Sequence, residues 1–67
     1  MSYGSGSLND GIKFYNEAVN DIGSGRDDSA RSKLQQAQQI FQQCRGTDSE
    51  ADDWLRKTNQ KLGEIES

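Results

Sequence analysis

The chain has 67 residues, 30% of them hydrophobic and 28% charged, with eight basic against eleven acidic side chains and a net charge of −3. That length allows one domain with a small core, since folding at this size buries only roughly 60% of the unfolded chain's surface. The negative balance argues against a phosphate backbone as partner. There is one cysteine and no histidine, so an internal disulfide is excluded and the commonest general base near neutral pH is missing.

Residues 1–6, MSYGSG, are glycine- and serine-rich with no apolar period, so burial offers little to offset their ordering entropy. The reading there is a disordered tail, with linker-like chemistry running on to Ser7. Proline is absent from the chain, which leaves the seven glycines as its main punctuation.

The first helix is expected over residues 8–22, with Ser7 as N-cap and Asp10 in the capping-box position. Leu8, Ile12, Tyr15, Val19 and Ile22 recur at alternating steps of four and three, which lays them on one helical face. Gly11 weakens this helix by about 0.5–1 kcal/mol relative to alanine unless another backbone packs closely against it. Residues 23–25, GSG, end the segment, one glycine serving as the left-handed cap.

The second helix is expected over residues 28–45. Asp27, Asp28 and Ser29 supply N-cap chemistry and first-turn negative charge, and Gly46 supplies the stop. Ala30, Leu34, Ala37, Phe41 and Cys44 form its apolar stripe, while Gln35, Gln36, Gln38, Gln39, Gln42 and Gln43 propagate helix without being able to form a core. Cys44 falls in line with the stripe and reads as buried packing.

A third helix is expected over residues 49–65, with Thr47 and Glu50 or Ser49 and Asp52 as competing capping boxes. Ala51, Leu55, Thr58, Leu62 and Ile65 repeat the same spacing. Asp52 with Arg56 and Asp53 with Lys57 read as acid-before-base pairs on an exposed face. Paired carboxylates at 27–28 and 52–53 sit at helix starts, where capping accounts for them. One thiol cannot hold zinc, and the acidic residues lack the ligand spacing of a calcium loop, so no cofactor or metal is expected.

Isolated helices of about 15 residues are marginal in water, so the three stripes must be buried against one another or against a partner. Short connections favour an antiparallel three-helix bundle, an all-α domain over residues 7–67. Its expected centre is Leu8, Ile12, Tyr15, Val19, Ile22, Ala30, Leu34, Ala37, Phe41, Leu55, Leu62 and Ile65. Phe14, Ile40 and Trp54 lie beside these stripes, where they either enlarge the core or line a groove between helices.

Residues 8–66 resemble the MIT (microtubule-interacting and trafficking) domain, a three-helix bundle whose first two helices are similar to a tetratricopeptide repeat. The resemblance rests on Ile12; on Ala18, Asp21 and Gly25; on Ala30, Leu34, Ala37 and Phe41; and on Leu55, Lys57, Leu62 and Glu66. The family's usual aromatic, basic residue and alanine are replaced by Lys61, Glu64 and Ile65. What the resemblance implies is non-catalytic binding of short peptide tails from the ESCRT-III membrane-remodelling filament proteins, in grooves flanking the third helix. Chosen by face, Ile40 and Gln43 on the second helix and Trp54, Lys57, Thr58 and Lys61 on the third are then the candidate peptide-binding positions.

The expected partner is thus another protein presenting a short amphipathic segment, with no nucleic acid and no membrane insertion. Neither an 18-residue apolar run nor a signal-peptide core is present, and a cytoplasmic location fits a single thiol. The structural alternative is a module that oligomerises through its stripes, or a piece of a helical-repeat protein.

Overall fold

The computed structural model describes residues 8–66. The tail expected at residues 1–6 and the Ser7 cap lie outside the described residues. Three helices follow in order: α1 over Leu8–Gly23, α2 over Asp27–Cys44 and α3 over Glu50–Glu66, each within about one residue of the expected boundaries.

The α1–α2 turn shows how closely local chemistry dictates the backbone. Gly25 takes φ +82°, the left-handed conformation that an L side chain resists. Its N–H donates to the Ile22 carbonyl (3.1 Å), and the Arg26 N–H donates to the Asp21 carbonyl (2.8 Å). These two bonds form a Schellman cap.

At the start of α2 the outcome differs from expectation. Arg26 occupies the N-cap position and makes no side-chain cap bond, while Asp27 and Asp28 lie inside the first turn. They therefore act on the helix dipole as charges rather than as caps. Ser29 is drawn away to Asp21. At the other end α2 closes at Cys44 without a left-handed glycine, since Gly25 alone among the described residues has positive φ. The Asp48 N–H (2.9 Å) and the Thr47 N–H (3.1 Å) both donate to the Cys44 carbonyl, and the Thr47 hydroxyl points there too (3.3 Å) instead of capping α3.

Cross-helix contacts give the topology. Gly11 meets Phe41 at one end of α1 and Asp21 meets Ser29 at the other, so α1 and α2 are antiparallel. Arg45 pairs with Asp52 and Gln38 with Asn59, so α2 and α3 are antiparallel as well. The result is an all-α, antiparallel three-helix bundle with α2 in the middle, in which the α1 and α3 backbones come close at few points and meet through side chains. It is shallow, its Cα atoms spanning 33 × 24 × 13 Å.

A shallow layer buries little. One apolar cluster joins Ala18, Ala30, Leu34 and Leu62, with Tyr15, Ile22 and Ile65 packed against it. Phe41, Leu34 and Thr58 are the largest side chains fully withdrawn from solvent. Beside the cluster an aromatic set spans all three helices: Trp54 meets Tyr15 edge-on at 5.4 Å and stacks on Phe41 at 6.0 Å.

Helix α1 is turned relative to its expected stripe. Its buried residues are Gly11, Ala18 and Asp21, whereas Val19 is 38% exposed and Leu8 and Ile12 are half-buried. Small residues bring α1 close to α2: a Cβ built on Gly11 would lie 2.5 Å from Phe41 Cε1. The space above Gly11 is therefore filled by a side-chain ring rather than by a neighbouring backbone.

Candidate functional site

Two sets of residues face each other across the α1–α2 groove. Asp10, Lys13, Phe14 and Glu17 stand at i, i+3, i+4 and i+7 on α1, and Gln36, Gln39, Ile40 and Gln43 repeat that spacing on α2. Such spacing puts each set on one helical face. Together they line an open groove of about 590 Å³. Phe14 and Ile40, both half-buried, are its apolar members, and charges from α1 and amides from α2 form its rim. Seven residues of helix rise about 10 Å, so the groove runs for about two turns.

The end of the groove is tied down by a polar cluster. Asp21, 9% exposed on α1, accepts a hydrogen bond from the Ser29 hydroxyl (2.9 Å) and pairs with the Lys33 ammonium (2.9 Å). Lys33 also lies 3.8 Å from Glu17. The Lys33 and Ser29 bonds outweigh burial and hold the Asp21 carboxyl below the usual aspartate range. Composition and periodicity missed this cluster, because the partners of Asp21 come from the next helix.

The six candidate positions do not form one site. Ile40 and Gln43 face α1 rather than α3, so the edge where α2 was expected to meet the third helix is elsewhere. Thr58 is 0% exposed, and its hydroxyl donates to the Trp54 carbonyl (2.8 Å), leaving it inside the α2–α3 packing. Trp54 is half-buried between Tyr15 and Phe41, with Lys57 Nζ 4.6 Å above its ring. Lys61 pairs with Glu64 one turn on (3.5 Å).

The acid-before-base pairs expected within α3 are also rearranged. Asp52 reaches across the loop to Arg45 (2.8 Å), and Lys57 turns to Trp54. A smaller groove along the α2–α3 seam, about 420 Å³, is lined by Arg45, Asp52, Leu55, Arg56 and Asn59, with Leu55 its one apolar member. Phe14 and Ile40 had a legible signal, lying beside their stripes. Asp10, Lys13, Glu17, Gln36 and Gln39 had none, because only the packing shows which polar residues share their groove.

Cys44 is buried, and burial first, then the nearby Asp48 charge, pushes its thiol up from the ordinary cysteine range, the opposite of what an activated nucleophile needs. Among the described residues no helix is long and apolar enough to cross a membrane. The fold and groove define a small three-helix module. No family model, no curated protein and no solved structure matches the chain.

Proposed function

We propose that this protein is a non-catalytic interaction module, an adaptor of the MIT-like kind working in the cytoplasm, that binds a short peptide helix in the groove between α1 and α2 rather than beside the third helix, where the resemblance would put it. The observation that carries the reading is the pairing of Phe14 and Ile40 between matched faces of two helices. An amphipathic helix recognises such a groove by laying its apolar side chains on the exposed ones. Leu34 and Phe41 are not among the residues that line the groove, so an occupant need not disturb them. Titration with amphipathic peptides, followed by amide NMR, tests this. The expected outcome is a set of shifts centred on Phe14, Ile40 and Gln43; shifts spread evenly over the domain, or none, would sink the reading.

A second reading, self-association, is favoured by α1. Leu8, Ile12 and Val19 share one helical face and stay partly in solvent. Sedimentation at several concentrations separates the two: a monomer throughout supports the peptide binder, and growth in mass that Val19→Ser abolishes supports assembly.

A further inference from the structure

We infer that the α1–α2 groove selects a basic amphipathic helix, one carrying two Lys or Arg residues about two turns apart with apolar residues between them. This rests on the reading of the groove as a peptide site and names the chemistry of its occupant.

The rim is asymmetric. From α1 it receives Asp10, Lys13 and Glu17; from α2 it receives Gln36, Gln39 and Gln43, which carry no charge. Two carboxylates against one ammonium leave the mouth acidic, in keeping with a chain whose net charge is −3. Lys33 does little to offset this: its closer contact is the buried Asp21 carboxylate at 2.9 Å, with Glu17 further off at 3.8 Å.

An uncharged helix seated over Phe14 and Ile40 would strip water from Asp10 and Glu17 and give nothing back. A helix with cations placed opposite those two positions gives Asp10 a partner and Glu17 a second one beside Lys33. The seven-residue separation of Asp10 and Glu17 sets the separation of the cations at about 10 Å. Lys13, midway between them, asks for an amide or a carboxylate near the centre of the occupant. Apolar residues at i and i+4 of the occupant then meet Phe14 and Ile40. Because these pairs lie at the rim, their contribution goes to selectivity and association rate and weakens with salt.

The experiment compares three synthetic helices of equal length on the intact chain. The first is basic with two leucine anchors, the second is its twin with glutamate for each lysine, and the third is the basic helix with alanine for leucine. Affinity is read by calorimetry, and amide NMR reports the site. The expected result is that the basic helix binds about tenfold more tightly than its acidic twin. That advantage should shrink at high ionic strength and in the Asp10→Asn, Glu17→Gln double variant, whose fold circular dichroism verifies. The alanine helix should lose the groove shifts.

If the acidic twin binds as well or better and moves the Phe14 and Ile40 amides, the charge inference is overturned while the peptide site stands. Should none of the helices move those amides, the peptide reading itself fails and takes the inference with it. Groove shifts that depend on protein concentration without any peptide would assign the groove to a second copy of the chain, which also overturns it.

Discussion

Against α1, helix α2 brings Phe41 onto Gly11 and ties its first turns down through Ser29 and Lys33 on Asp21; against α3, it offers Gln38 to Asn59 and Arg45 to Asp52 at the surface. The first seam uses close approach and a nearly buried charge. The second sets fully buried Ala51 and Thr58 and the nearly buried Leu62 beneath exposed polar pairs. The difference teaches where sequence changes will be felt. A seam built on a missing side chain resists any addition, whereas exposed pairs held in high dielectric can be removed at little cost.

The largest effect is expected where both seams share a residue. Phe41 is 0% exposed, faces Gly11 on one side and stacks on Trp54 on the other. Phe41→Ala should destabilise by about 3–5 kcal/mol, most of what so small a domain has, and urea unfolding followed by circular dichroism would register it. A change below about 1 kcal/mol would mean that α1 and α3 are not joined through that ring.

Gly11→Ala comes next and tests the α1–α2 seam alone. In an isolated helix the change is worth about 0.5–1 kcal/mol in favour of alanine. Here the new methyl meets a fully buried ring at 2.5 Å, so a net destabilisation of about 1–3 kcal/mol is expected. Combining it with Phe41→Leu should relieve part of that penalty, which a double-mutant cycle would read. A stabilising Gly11→Ala would show that the ring yields freely.

Asp21→Asn probes the charged end of the same seam. The carboxyl is held below its unfolded value by Lys33 and Ser29, so its contribution is present above the unfolded pKa and is lost as pH falls through the folded one. The variant should melt below the parent at neutral pH, and the gap should close as the solution is taken below the ordinary aspartate range. A gap independent of pH would assign the loss to shape rather than to charge.

The smallest effect belongs to the α2–α3 surface. Arg45 and Asp52 are 58% and 55% exposed, so Arg45→Ala should change stability by no more than about 0.5 kcal/mol, and less in high salt. A larger loss in chemical denaturation would make the two seams alike.

Much of the fold was legible because helical period is written locally. Ala30, Leu34, Ala37, Phe41 and Cys44 are all buried, and a left-handed glycine cap within residues 23–25 followed from the glycine cluster, the structure assigning it to Gly25. On α1 the apolar period pointed to Val19, yet the buried face runs through Gly11, Ala18 and Asp21. A stripe of large side chains marks where burial is favourable; it does not register that two helices can approach more closely over glycine and alanine. The groove was half legible for a related reason. Phe14 and Ile40 announce themselves as apolar residues off their stripes, but which helices close around them depends on the rotation of α1.

By itself, then, the sequence determined three helices, their boundaries within about a residue, the dry face of α2 and the sign of the net charge, because each is a property of neighbouring residues along one chain. The tertiary structure alone decided that Ile40 and Gln43 face α1, that Thr58 is enclosed, and that Asp21 finds Lys33 and Ser29. The first and last of these depend on how α1 packs against α2, where Phe41 sits over Gly11, a contact between residues thirty positions apart, and the second on how α3 packs against α2; neither packing is a property of neighbouring residues along the chain.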